Sequence, residues 1–456
     1  MMRTQTPRPD EQIEALAEPP ALQGRWTICA MLFVATTINY VDRQVLSILK
    51  PILHGQLIHL QPLLPGWPSV ETSINLTDKE YGYVLAAFQV AYALGVLFAG
   101  RLVDRLGCRR GYPLVTGIWS VAAMSHALVR SVMGFGIARF FLGLGESGNF
   151  PAAVKATAEW FSPRERALAT GIFNSGAGVG AIVAPLMVPW VALHFGWRAS
   201  FLVTGIFSAA WIVWWSIRYR RPILAMDPER IEIHEHAVAA PPANALPWWR
   251  LLRYRQAWGF MLGKFLTDPV WWFFLFWLPQ YFNSRFGLDL VHMGPPLVVV
   301  YVASTIGSVS GGWLPKGYIR LGMTLKSARL AAMLTCACFV LPVMIAGGLK
   351  SEWFAVGLVS LAAAAHQGWS ANIFTTASDM FPSEHVGTVV SFGQVAGAIG
   401  GAIFQPIAGS VLQRARELHT QSGFVPLFIY SGCAYLLALL LLRTLAPGLR
   451  RAQLEV

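Results

Sequence analysis

Apolar runs of about 20 residues recur from one end of this chain to the other, each long enough to cross a bilayer as a helix. Twelve can be drawn. The first six cover 26–50, 80–100, 111–129, 132–160, 165–191 and 199–219, and the second six cover 256–284, 293–316, 326–347, 352–381, 385–412 and 424–446. A water-soluble protein would have to place all of them in one core, which chains of this size do not build. Composition agrees: 55% of the 456 residues are hydrophobic and 13% are charged, where a soluble chain carries about a quarter charged. The expected fold is an all-α membrane protein of 12 transmembrane helices in two pseudo-symmetric six-helix bundles.

The net charge is +12, and topology accounts for it better than a nucleic-acid partner does, because cytoplasmic loops collect Lys and Arg. Arg101, Arg105, Arg109 and Arg110 lie between spans 2 and 3. Arg164 and Arg166 follow span 4, and Lys316, Arg320, Lys326 and Arg329 lie between spans 8 and 9. The central loop carries Arg218, Arg220, Arg221, Arg230, Arg250, Arg253 and Arg255, whereas the loop 51–79 has only Lys79. Both termini are therefore expected in the cytoplasm. Arg414 and Arg416, between spans 11 and 12, dissent from this pattern.

The expected organisation is a disordered cytoplasmic tail (1–24), an N-terminal bundle (25–220), a Pro-rich cytoplasmic linker (221–255), a C-terminal bundle (256–446) and a short cytoplasmic tail (447–456). The N-terminal segment lacks the order of a signal peptide. The halves echo each other. Aligning Pro163 with Pro382 also pairs Glu165 with Glu384 and Gly178 with Gly397. A weak repeat between six-span halves marks a transporter that rocks around a central site. Cys29, Cys108, Cys336, Cys338 and Cys433 form no metal-ligand or disulfide framework and read as packing residues.

Charges inside spans are costly and usually mark a pathway. Span 1 has Asp42 and Arg43, span 4 has Arg139 and Glu146, and span 7 has Lys264 and Asp268. Span 10 has His366, with Gln367 and Asn372 nearby. Arg139 and Glu146 are seven residues apart, on one helix face and roughly 10 Å apart along the axis. Substrate, water or Arg43 is needed to connect them. Burial favours the uncharged Glu146 and cationic neighbours favour the charged one, so this carboxyl is a candidate for proton coupling. A salt bridge that only locks helices is the alternative.

Tyr40 shares a face with Arg43, the candidate anion ligand, since a guanidinium grips a carboxylate with two parallel bonds. Asp42 lies about 100° round the helix. It either carries a second proton or serves as a packing counter-ion. Tyr92, Trp272, His366, Gln367, Asn372 and Gln394 are further candidates for substrate contact, although Trp271 and Trp272 also suit an interfacial belt. Asp268-Pro269 is expected to break or kink span 7. Asp104, Arg105, Arg109 and Arg110 are expected to form a charge latch at the cytoplasmic mouth, or else an ordinary basic loop. No nucleophile–base pair, metal-ligand cluster or phosphate loop stands out, so an enzyme is not expected, and neither is any cofactor beyond the proton as coupling ion.

"GRLVDRLGCRR", residues 100–110, resembles the loop signature of the major facilitator superfamily. "INYVDRQVL" in span 1 and "RFFLGLGESGNFPA" in span 4 resemble its anion:cation symporters. "FLTDPVWWFFLFWLPQYF" and "AAHQGWSANIFTTASDMFP" resemble the bacterial hexuronate transporters among them. The resemblance implies a monomeric, proton-coupled symporter of organic anions in the bacterial inner membrane, typically of sugar acids such as glucuronate or galacturonate. It implies that Arg43 binds the substrate carboxylate and that Arg139 and Glu146 serve binding and proton coupling. It also implicates Asp42 in coupling and puts Tyr92 on the substrate. An aldonate, a dicarboxylate or an aromatic acid is the alternative substrate. Cys108 departs from the loop signature, and Ala177 stands where sugar-acid relatives have a glutamine. Asp268 lies near the position where glutamate-transporting relatives have an arginine.

Overall fold

The computed structural model describes residues 24–54, 74–161, 163–220 and 248–453. The expected N-terminal tail, most of the loop 51–79, and linker residues 221–247 lie outside the described residues. Among those described, the first half comprises α1 (Arg25–Leu53), α2 (Asp78–Ser125), α3 (Val132–Glu146), α4 (Asn149–Trp160), α5 (Pro163–Phe195) and α6 (Trp197–Arg218). The second comprises α7 (Arg255–Phe286), α8 (Gly294–Arg320), α9 (Leu325–Val340), α10 (Glu352–Met380), α11 (Ser383–Glu417) and α12 (Val425–Leu445). A 3-10 segment, Leu341–Gly348, extends α9.

Local chemistry sets the ends. Thr77 and Glu80 form a reciprocal capping box at the start of α2, which satisfies two otherwise orphaned amides. Ser131 caps α3. Gly287, at φ 70°, closes α7 in the left-handed conformation that glycine adopts without cost.

Spans 2 and 3 join at a tight turn: the stretch given as α2 is two helices that meet at Gly107, at φ 69°. Two sequence expectations change in detail. Span 4 is kinked: α3 ends at Glu146 and α4 begins at Asn149, with Ser147 and Gly148 between them still in the right-handed helical region. Span 7, by contrast, does not break at Asp268-Pro269, and α7 runs through Pro269. Proline removes the amide that would have bonded the Phe265 carbonyl. Gly400 of α11 packs directly against that carbonyl and the Pro269 ring, at a distance no side chain would permit.

Seven described helices are long and apolar enough by themselves to cross a membrane. The expected spans outside that set are the first, fourth, seventh and tenth, where the polar residues singled out above are concentrated. Large apolar side chains cover the outer face, among them Phe98, Val121, Met133, Ile217, Ile306 and Trp313, each more than 60% exposed. Exposure of that kind suits lipid and not water.

Packing repeats between the halves. α1 lies on α5 as α7 lies on α11, and α2 lies on α3 as α8 lies on α10. Across the middle, α2 meets α11 and α5 meets α8, which is the same contact generated twice by a pseudo-two-fold. The fold is that of 12 transmembrane helices in two pseudo-symmetric six-helix bundles.

Candidate functional site

Arg43 occupies the middle of the molecule. Its Nε donates to Glu146 Oε2 at 2.5 Å, with both side chains nearly inaccessible. Four aromatic rings surround the guanidinium: Tyr40 at 4.8 Å, Tyr92 at 5.0 Å, Trp272 at 5.4 Å and Phe88 at 5.6 Å from ring centroid to Cζ. Ring faces attract a desolvated cation. Trp272 belongs to α7, so the second half supplies one wall of a site whose charge is held by the first.

Arg139 lies beneath. Its Nη1 donates to the Arg43 carbonyl at 3.2 Å, while its Nε and Nη2 have no hydrogen-bond partner among the described residues. Arg43 thus connects Arg139 to Glu146, through its carbonyl on one side and its guanidinium on the other. Glycines make this possible. A side chain at Gly143 would meet the Phe88 carbonyl, and one at Gly145 would meet the Trp119 backbone, so α3 seats itself directly on α2. Just beyond Glu146 the helix kinks, because Pro151 withdraws the amide that would bond the Ser147 carbonyl.

Asp42 points away from Arg43. It is buried and has the hydroxyl side chains of Thr204 and Ser208 of α6 as its polar neighbours. Glu146 has the Asn39 side chain as a further polar neighbour. Two arginines and two acids therefore form a core whose hydrogen-bonding capacity, on Arg139, is only partly used.

The other candidates divide. Trp272 and Tyr92 form an edge-to-face pair beside Arg43. Trp271, one residue away and so turned about 100°, instead stacks on His366 at 5.3 Å, and His366 Nδ1 shares a 2.5 Å hydrogen bond with the Tyr435 hydroxyl. Asn372 spends both amide hydrogens on the carbonyls of Gly311 and Gly368, at 2.8 Å each. It ties α10 to α8. Gln367 and Gln394 are half-buried. Lys264 and Asp268 pair with each other at 2.9 Å.

One of the four latch candidates makes an inter-helix ion pair. Asp104 binds Lys155 of α4 at 2.8 Å, within the first half, and Arg105, Arg109 and Arg110 are exposed. The opposite end holds a cluster the sequence reading missed. Asp78, at the start of α2, accepts from Lys50 of α1 at 3.0 Å, from Gln280 of α7 at 2.7 Å and from Arg416 of α11 at 3.0 Å. The Tyr81 hydroxyl donates to the Phe276 carbonyl at 2.9 Å nearby. Arg416 had broken the charge pattern of the loops, and its partner explains why.

A model of the Major Facilitator Superfamily matches residues 32–405. The hexuronate transporter of Escherichia coli (strain K12) is 28% identical over 442 residues, covering 94% of this chain and 96% of that one. The galacturonate transporter of Dickeya chrysanthemi is 28% identical over 300 residues, covering 64% of this chain and 81% of that one. The solved structure of a D-xylose–proton symporter superposes with a TM-score of 0.71 over 94% of this chain and 99% of that one, at 15% identity. This chain belongs to the Major Facilitator Superfamily, and it is a multi-pass membrane transporter, not an enzyme.

Proposed function

We propose that this transporter takes up a sugar acid, in the first place a hexuronate such as glucuronate or galacturonate, by proton-coupled symport in a bacterial inner membrane with both termini in the cytoplasm. The observation that carries the reading is the Arg43–Glu146 pair. An incoming carboxylate competes with Glu146 for the same guanidinium. Glu146 released from Arg43 into an apolar surrounding favours its protonated form. Anion binding and proton binding then assist each other, which is the coupling a symporter requires. Arg139 supplies further donors beneath the site, and Tyr40, Tyr92 and Trp272 offer faces to a sugar ring. Asp42 is a second candidate proton carrier.

With the termini inside, the Asp78 cluster lies on the outer side and seals it. The described state is then closed outward, and the alternating-access cycle must open that seal while the Asp104 end closes. One proton carried with one monoanion moves no net charge. Two protons would move one charge, worth about 2.3 kcal/mol per 100 mV.

The test is uptake of labelled glucuronate into proteoliposomes under an inward proton gradient, comparing wild type with Glu146→Gln. Gradient-driven uptake is expected to disappear in the variant while counterflow exchange persists. Full gradient-driven uptake by the variant would transfer the coupling role to Asp42. If wild type ignores glucuronate, competition by aldonates, dicarboxylates and aromatic acids decides the substrate.

A further inference from the structure

Lys264 and Asp268 remain unused once Arg43 and Glu146 have their roles. They are one turn apart on α7, with Nζ and Oδ2 2.9 Å apart. Lys264 is the deeper member: its side chain is 6% exposed against 19% for Asp268, and its ammonium lies 4.2 Å from the centre of the Phe374 ring. Asp268 is thus the more exposed member of the pair.

Its position relative to the anion site follows from the helix. Trp272 is four residues further along, on the same face and roughly 6 Å away along the axis. The Trp272 ring stands 5.4 Å from the Arg43 guanidinium. Asp268 itself fills the space over Gly397, where no side chain would fit. A carboxylate therefore waits about one helical turn from the residues that surround Arg43, a separation comparable to the length of a six-carbon sugar acid.

We propose that Asp268, held by Lys264, receives the hydroxyl-bearing end of the substrate and excludes a second carboxylate, so that the site selects acids of single charge. This inference rests on the sugar-acid reading above and sharpens it. An ionised carboxylate only accepts hydrogen bonds. Sugar hydroxyls donate them, and bonds to an ionised acceptor are the stronger kind. A carboxylate arriving at the same place brings a like charge and no donor, and selectivity arises from such repulsion as much as from attraction. Lys264 holds Asp268 in place without itself reaching the ligand.

The experiment compares binding of matched acids to purified protein, read as the ligand-induced rise in unfolding temperature. The pairs are glucuronate with glucarate, which carry one and two carboxylates on the same skeleton, and monomethyl glutarate with glutarate, which lack the hydroxyls. Wild type is expected to bind each monoanion at least about tenfold more tightly than its dianion. Asp268→Asn leaves Lys264 uncompensated and is expected to reverse both orders, weakening glucuronate about tenfold and admitting glucarate. Lys264→Met combined with Asp268→Asn is expected to lose the gain for glucarate while glucuronate stays weak. A wild type indifferent to the second charge, or an Asp268→Asn variant whose ratios stay within about twofold of wild type, overturns the proposal. Failure of both sugar acids with the order kept for the glutarate pair retires the sugar-acid reading and retains the exclusion. No stabilisation by any of the four acids sinks both. If Asp268→Asn does not yield folded protein, Asp268→Glu keeps the charge and should still exclude glucarate, and its acceptance there would count against the idea.

Discussion

Two buried ion pairs lie on one face of α1, seven residues or two turns apart, and they differ in how completely they are paired. Asp78 takes Lys50, Gln280 and Arg416 on its two oxygens. Beside Arg43, the Nε and Nη2 of the buried Arg139 have no hydrogen-bond partner among the described residues. A buried charge with every valence filled is a lock, since its energy is already spent in the state that holds it. A buried charge with capacity left over is a receptor, since an arriving partner gains bonds that the protein has not made. The same residue types, placed two turns apart, thus serve opposite ends: one fixes a conformation and the other awaits a ligand.

This contrast can be broken at either pair. Arg43→Lys keeps the charge and removes the fork, so it is expected to lower uptake at least about tenfold, with the loss in apparent affinity as well as rate. Uptake kinetics at full wild-type values would show that a point charge suffices. Asp78→Asn comes next. It leaves Lys50 buried without its counter-ion and is expected to destabilise the sealed state by about 3–5 kcal/mol. A lower unfolding temperature should accompany faster labelling, from the Asp78 side, of a cysteine placed at Ser47. Unchanged labelling would mean that apolar packing alone holds that end shut. Arg416→Ala tests the same seal more gently, because this side chain is 42% exposed and Lys50 and Gln280 remain. Its labelling rate is expected to lie between wild type and Asp78→Asn. Asp104→Asn should do least. Its partner Lys155 is a surface ion pair, such pairs contribute about 0–1 kcal/mol, and no change in unfolding temperature is expected. A large fall in transport with unchanged stability would show that Asp104 acts in a state other than the one described.

The residues legible in the sequence were those whose cost was visible there. Arg43, Asp42, Arg139 and Glu146 stand in apolar spans, where a charge without a purpose is rarely kept, and the structure gathers all four. Asn372 shows the limit of that reasoning. A neutral amide in a span can face a cavity or satisfy backbone carbonyls, and sequence pattern does not separate the two. Lys50, Asp78 and Arg416 escaped for the opposite reason. Each sits near a span end, where charge is ordinary, and the partners of Asp78 lie 28, 202 and 338 residues away. Helix continuity misled in both directions. Asp268-Pro269 pointed to a break or kink, and α7 runs on unbroken, with Gly400 of α11 packed against the freed carbonyl, while the interruption after Glu146 was legible in Pro151, which withdraws the amide that would have bonded the Ser147 carbonyl, and went unread.

What the sequence determined alone was the solvent and the scale of the molecule. Span lengths near 20 residues, recurring twelve times with a repeat at mid-chain, leave a bilayer and two six-helix halves as the only economical solution, because helices satisfy their own backbone where water is absent. Tertiary structure decided which charges gather on Asp78 and which of two adjacent tryptophans turns to Arg43. Those outcomes depend on pairings between residues hundreds of positions apart, and a hydrogen bond of about 3 Å is fixed by how helices pack, not by how far apart its partners are in the chain.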